Sequence, residues 1–150
     1  MEQKRKIKPP IYLLLALLLM EAMHRWLPLG QLWGTPLSYA GIALLVLGAV
    51  MTILSAAAFQ RAGTGIVPFE EATALVTSGF FRHTRNPMYL GMVLILLGVA
   101  VLRGSLGAFL PIPLFVWVIQ SQFIHGEERF MEAAFGGAYL DYKRRVRRWL

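Results

Sequence analysis

The sequence predicts an all-α integral membrane protein with about four transmembrane helices. Of its 150 residues, 57% are hydrophobic and only 15% are charged, and the mean hydropathy is +0.56. Soluble domains usually contain about 25% charged residues. So much apolar surface needs a partner other than water, and lipid is the simplest one. The composition excludes a disordered chain, and the length predicts a single domain, residues 1–150.

Four charge-poor stretches supply the candidate spans. A membrane-spanning helix needs roughly 20 mostly apolar residues. The second and fourth stretches reach this length, whereas the first and third need interfacial residues to complete them. The predicted spans are residues 10–26, 38–59, 87–102 and 106–124.

Local signals support the ends of these helices. No small-residue cleavage site follows the first stretch, which favours an uncleaved anchor over a signal peptide. Ser38 suits the cap of the second span. Asn86 and Pro87 predict the start of the third, because Asn can cap a helix and Pro suits its first position. The short connection at residues 103–105 makes the last two spans an antiparallel hairpin.

The segment after the fourth span predicts a C-terminal amphipathic helix. Gly136 and Gly137 interrupt the preceding helix. Tyr139, Tyr142 and Val146 then form an apolar stripe beside a basic face. This pattern is typical of a helix that lies on an anionic membrane surface, so membrane lipids are expected partners.

The basic residues predict the orientation of the chain. With both termini in the cytoplasm, thirteen Lys and Arg residues lie on the cytoplasmic side and two lie on the other. This bias follows the positive-inside rule, and an odd number of spans would lose it. The prediction is a multi-pass protein of the inner or cell membrane with both termini cytoplasmic.

Several function classes lack support in the sequence. Cysteine is absent, which excludes a disulfide framework, a thiolate metal site and a cysteine nucleophile. The three histidines lack metal-ligand spacing, so no metal is expected. There is no Ser-His-Asp arrangement, Walker loop or dinucleotide-binding glycine motif. The net charge of +7 fits the membrane topology, so no nucleic-acid partner is expected.

Polar residues concentrate in two segments on the predicted cytoplasmic side, residues 60–89 and 125–150. In the first, the free N–H groups after Asn86 would attract an anion such as a carboxylate. The second carries Glu127 and Glu128 just outside the fourth span. These features also have structural interpretations, since arginines at this depth contact lipid head groups and the glutamates can pair with the basic tail.

Together, the two segments resemble the isoprenylcysteine carboxyl methyltransferase and phospholipid methyltransferase family of membrane enzymes. The resemblance covers about residues 60–148. It is carried by Leu-Val-Thr-Ser-Gly-Phe-Phe at 75–81, Arg-Asn-Pro-Met-Tyr-Leu-Gly at 85–91, Glu-Glu at 127–128 and Tyr-Lys-Arg-Arg-Val at 142–146.

This resemblance implies a methyltransferase that uses S-adenosylmethionine and acts on a lipophilic or membrane-associated acceptor at the cytoplasmic membrane face. It also implies a cytoplasmic cofactor loop. The implied cofactor-binding residues are Ile66, Thr73, Ala74, Leu75, Val76, Phe81, Asn86, Pro87, Met88, Tyr89 and Glu127. Arg85 is expected to hold the cofactor carboxylate, and Glu128 is the nearest candidate for a general base.

Two positions depart from the prenylcysteine enzymes. Asn86 stands where those enzymes carry His. Phe123 stands where they carry an Arg linked to substrate binding. A neutral Phe at this substrate position cannot hold a carboxylate, so the resemblance does not identify the methyl acceptor.

Two other functions are compatible with the sequence. Steroid-reductase-like membrane proteins share a related architecture and would bind NADPH instead. A non-catalytic membrane subunit with a lipid-binding basic tail would bind neither cofactor.

Overall fold

The computed structural model describes residues 8–65 and 72–150. This part of the chain is helical and contains no β-strand, only an isolated bridge between Gln31 and Ser105. The predicted all-α class is therefore confirmed for the described residues. The helices are α1 (Pro9–Trp26), α2 (Ala40–Arg61), α3 (Pro87–Arg103), α4 (Leu106–Phe109), α5 (Pro111–Ile119), α6 (His125–Phe135) and α7 (Gly137–Arg145).

Two of the described helical stretches are long and apolar enough to cross a membrane. One is Leu37–Arg61, and the other is Leu106–Phe135, where a π-helical turn at Gln120–Ile124 joins α5 to α6. They contain the predicted spans 38–59 and 106–124. Only 11% of the most apolar window of the first stretch is buried within the chain, which leaves most of its surface for lipid. The other two predicted spans correspond to α1 and the shorter apolar helix α3, and their crossing of the membrane stays a prediction.

The chain divides into two compact units. The first comprises the described residues of Met1–Val46 together with Val93–Trp117. Within it, a side chain at Gly98 would lie 2.6 Å from the carbonyl oxygen of Gly41. No carbon atom fits in that space, so the backbones of α2 and α3 approach directly there, as small residues allow between membrane helices.

The second unit comprises Leu47–Met92 and Val118–Leu150. Here Gly91 brings α3 against α2, since a side chain at Gly91 would lie 2.7 Å from the carbonyl oxygen of Gly48. The Thr52 hydroxyl donates to the same Gly48 oxygen over 2.8 Å. This close packing holds the first turn of α3, which contains the last residues of the first polar segment.

Helix α7 follows a break at Gly136, where φ is +51°, as predicted. Its apolar stripe, however, does not face lipid, so that interpretation was wrong. Tyr139 and Tyr142 are buried, each with 4% of its surface exposed. An apolar stripe can cover protein as well as lipid, and in this unit the two tyrosines line a cavity.

Candidate functional site

A cavity in the second unit collects side chains from both polar segments. Its volume is about 780 Å³, including the mouth that opens to solvent. It is lined by Phe59, Thr64, Gly65, Ala72, Leu75, Val76, Phe81, Arg85, Asn86, Met88, Tyr89, Glu127, Glu128, Phe130, Met131, Tyr139 and Tyr142.

A carboxylate and a phenol meet in this cavity. The Tyr89 hydroxyl, in the first turn of α3, donates to Oε1 of Glu127 in α6 over 2.5 Å. The ring of Phe123 lies behind Tyr89, with 6.4 Å between the ring centroids. Phe123 belongs to the π-helical turn, a distortion that is often found at functional sites. Glu127 and Glu128 lie three and four residues after the end of this turn, and both line the cavity.

The second carboxylate is held between two arginines. Glu128 is only 7% exposed. Arg85 donates from Nη2 to its Oε1 over 2.7 Å. Arg148 donates to both oxygens, from Nε over 2.9 Å and from Nη2 over 2.7 Å. The hydrogen bond to Glu128 raises the pKa of Arg148, so Arg148 stays charged in this Arg-Glu-Arg triad.

The end of the chain is tied to the first polar segment by backbone carbonyls. The amide N–H of Arg85 donates to Arg147 over 2.9 Å, and its Nη1 donates to Val146 over 2.6 Å. The Arg148 carbonyl accepts from the side chains of Asn86, over 2.9 Å, and Thr84, over 3.1 Å. Asn86 thus anchors the C-terminal residues beside the cavity.

Aromatic side chains form another wall. Phe81 is buried and stands edge-on to Phe59, with the ring centroids 5.2 Å apart. The Tyr142 hydroxyl donates to the Phe81 carbonyl over 2.7 Å. Burial, and secondly the charge of Glu128, raise the pKa of Tyr139 to about 12, and burial also raises the pKa of Tyr142. Both phenols are therefore neutral at physiological pH.

The predicted site residues fall into three groups. Arg85 and Glu128 line the cavity, as do seven of the predicted cofactor residues: Leu75, Val76, Phe81, Asn86, Met88, Tyr89 and Glu127. The following do not line it: Thr73, Ala74, Pro87 and Phe123. Ile66 lies outside the described residues. For all of these residues, the predicted role in binding the cofactor or the substrate stays a prediction.

Thr73 makes two local hydrogen bonds in the structure. Its amide N–H donates to the Thr64 hydroxyl over 3.1 Å, and its own hydroxyl donates to the Gly63 carbonyl over 3.0 Å. These bonds link the residues that follow α2 to the segment that continues at Ala72, so they hold both edges of this part of the cavity.

The pairing of Glu128 with the basic tail agrees with one interpretation of the sequence, but the sequence did not single out Arg148 and did not place α7 at the cavity. The three-residue spacing of Tyr139 and Tyr142 predicts an apolar stripe, but spacing alone does not distinguish a lipid surface from a protein surface. Arg148 stands in a run of basic residues and carries no local signal that distinguishes it from Arg144 or Arg147. Only the ion pair with Glu128 in the folded chain distinguishes Arg148 from these neighbours.

The cavity suits a ligand that carries both signs of charge. The Glu127 carboxylate, beside aromatic rings, would attract a cation. Arg85 offers a guanidinium whose Nε is buried and has no hydrogen-bond partner within the described part of the chain. Buried polar atoms are normally paired, so an acceptor from a ligand would satisfy it.

Comparisons with known proteins agree with the resemblance in the sequence. A family model described as phospholipid methyltransferase matches residues 37–138. A probable protein-S-isoprenylcysteine O-methyltransferase of Oryza sativa subsp. indica is 28% identical over 111 residues, which is 73% of this chain and 58% of that protein. The protein-S-isoprenylcysteine O-methyltransferase of Schizosaccharomyces pombe is 35% identical over 72 residues, which is 48% of this chain and 30% of that protein.

A shorter relative is matched along its whole length. An uncharacterized protein of Haemophilus influenzae is 43% identical over 63 residues, which is 42% of this chain and 100% of that protein. In contrast, the chain spans less than two thirds of the length of the plant and yeast relatives. No solved structure matches the chain.

Proposed function

The chain belongs to the phospholipid methyltransferase family, and from this premise we propose that it transfers a methyl group from S-adenosylmethionine to a lipophilic or membrane-associated acceptor at the cytoplasmic membrane face. One observation carries the proposal. Asn86 and Glu127 come from polar segments about 40 residues apart and line the same cavity. A single small molecule can therefore touch both segments.

The residues of the cavity fit the chemical groups of S-adenosylmethionine, which has a sulfonium, an ammonium, a carboxylate, a ribose and an adenine. Glu127 suits the cationic groups or the ribose hydroxyls. Phe81 and Tyr89 suit the adenine or the sulfonium, the latter through a cation–π contact worth roughly 0.5–2 kcal/mol. The unpartnered Nε of Arg85 suits the carboxylate.

Bound S-adenosylmethionine would supply a methyl group activated by its positively charged sulfur, and the electron pair of the broken carbon–sulfur bond would stay on that sulfur as the methyl carbon bonds to the acceptor. The protein has to align donor and acceptor and to exclude water. Burial of Tyr89 and Phe81 serves both needs. Both oxygens of Glu128 accept hydrogen bonds from arginines. We therefore propose that Glu128 holds Arg85 in place and does not act as a general base.

The acceptor is proposed to be lipophilic because of the surroundings of Tyr89. Phe123 packs behind Tyr89 and is only 2% exposed, so this position offers no charge to a substrate carboxylate. The apolar stretches Leu37–Arg61 and Leu106–Phe135 favour entry from the bilayer. Four spans with both termini cytoplasmic are part of the proposal and rest on the distribution of basic residues.

Transfer of a labelled methyl group tests the proposal. The purified protein is incubated with methyl-labelled S-adenosylmethionine and a total membrane extract, and the lipid and protein fractions are counted. We expect label in one membrane component, reduced at least tenfold by Glu127→Ala and unchanged by Glu21→Ala, which alters an exposed ion pair in the other unit. Absence of label together with binding of NADPH would instead favour a reductase, and binding of neither would favour a non-catalytic subunit.

A further inference from the structure

We infer that Arg148 is a positioning residue of the proposed donor site, where it keeps Arg85 available for the carboxylate of the ligand. The inference rests on the proposed function. It goes beyond that function because it gives a role to the C-terminal residues, which lie outside the cavity lining.

The triad leaves one positive charge in excess. Glu128 carries one negative charge, and Arg85 and Arg148 carry one positive charge each. Arg148 takes both oxygens of Glu128 in a two-pronged contact, whereas Arg85 makes a single contact. Without Arg148, the Arg85–Glu128 pair would be neutral, and Glu128 would compete with any ligand carboxylate for the same guanidinium.

The C-terminal residues also fix the position of the Arg85 guanidinium. The Val146 and Lys143 carbonyls accept from Nη1 of Arg85, over 2.6 and 3.2 Å. With Nη2 on Glu128, these bonds occupy one edge of the guanidinium and leave Nε without a partner within the described part of the chain. Nε is therefore the guanidinium nitrogen that is left without a partner for a ligand acceptor, and in our inference Arg148 keeps it so by holding Glu128 and the C-terminal residues in place.

Other charges of this tail pair elsewhere. Lys143 pairs with Glu132, and Arg144 pairs with Asp141 over 2.5 Å. Arg144 is largely exposed, at 76% of its side chain, and its substitution removes one positive charge from the same C-terminal basic run. It is therefore a matched control for Arg148.

Two ligands separate a role in carboxylate binding from a structural role. S-Adenosylhomocysteine carries the amino-acid carboxylate, whereas 5′-methylthioadenosine has the same nucleoside and thioether without the amino-acid group. Calorimetric titration of the detergent-purified full chain measures both affinities, and thermal unfolding reports whether each variant is folded. Neither readout depends on turnover.

We expect Arg148→Gln to weaken the binding of S-adenosylhomocysteine about tenfold, the usual scale for one charged hydrogen-bond contact. The affinity for 5′-methylthioadenosine should change by less than about twofold. Arg148→Lys, which keeps the charge but not the two-pronged contact, should lose less affinity for S-adenosylhomocysteine than Arg148→Gln and serves as the test if Arg148→Gln does not fold. Arg144→Gln should change neither affinity.

Equal loss of both ligands in Arg148→Gln would overturn the inference, since it would make Arg148 a general structural residue. Unchanged affinity for both would overturn it as well, as would a loss in Arg148→Lys as large as in Arg148→Gln. These results leave the proposed function standing if the wild-type chain binds both ligands. A wild-type chain that binds neither would overturn the proposed function and the inference together.

Discussion

Replacing Glu128 with Ala should strongly destabilise the protein. Glu128 is buried and is the only acidic partner of Arg85 within the described residues. The Arg85 side chain is itself only 9% exposed. After the substitution, its guanidinium would keep two carbonyl partners but would have no opposing charge.

The size of the effect follows from the burial of each partner. Removing one member of a buried ion pair costs roughly 3–5 kcal/mol, because it leaves an uncompensated charge. Arg148 is 32% exposed and can be solvated, so the penalty falls mainly on Arg85 and should be near the lower limit, about 3 kcal/mol. For a chain of this length, 1 kcal/mol shifts the unfolding midpoint by about 2–4 °C, which gives roughly 6–12 °C.

The control is Glu132→Ala, which breaks the ion pair with Lys143. Both of those side chains are about one third exposed, and such pairs contribute about 0–1 kcal/mol, or less than about 4 °C. Thermal unfolding of both variants in the same detergent measures the difference. Equal shifts for Glu128→Ala and Glu132→Ala would refute the assignment of a buried, tightly held ion pair to Glu128.

Three further changes test the packing and the tyrosines. Gly98→Ala should lower the unfolding midpoint by several degrees, because overpacking costs about 1–3 kcal/mol. The control is Gly34→Ala, which should have little effect because the space around Gly34 is open. Similar midpoints for the two variants would contradict the close approach of α2 and α3. Tyr142→Phe should cost about 1 kcal/mol for the lost hydrogen bond to the Phe81 carbonyl, measured by thermal unfolding, and no loss would argue against this bond. The raised pKa of Tyr139 predicts that stability falls as the pH rises from the ordinary tyrosine value of 10 to about 12, because Tyr139 loses its proton first in the unfolded chain. Unfolding measured across this alkaline range tests the prediction. It would be contradicted if the stability of Tyr139→Phe declined as steeply as that of the wild type.

The sequence predicted those parts of the structure that depend on local patterns. The long uncharged runs at residues 38–59 and 106–124 predicted the apolar parts of the helical stretches Leu37–Arg61 and Leu106–Phe135. Pro87, with its fixed φ, marked the start of α3. Gly136 marked the break before α7, because a positive φ suits glycine.

The missed parts depend on contacts between residues that are far apart in the chain. The stripe of Tyr139 and Tyr142 looks the same whether lipid or protein covers it, so its burial was not readable from spacing. Arg148 differs from its basic neighbours only because Glu128 lies within reach of it. The cavity itself requires α3 to lie close to α2 at Gly91, which is a property of packing.

The most direct test of the account is the binding of S-adenosylmethionine by variants of the two polar segments. Calorimetric titration should detect binding to the wild-type chain and to Glu21→Ala. Asn86→Ala and Glu127→Ala, one from each segment, should each weaken it at least about tenfold, as loss of a polar contact at a shared site would. Binding that is absent in the wild-type chain, or that is unchanged in Glu127→Ala, would contradict a single donor site built from both segments.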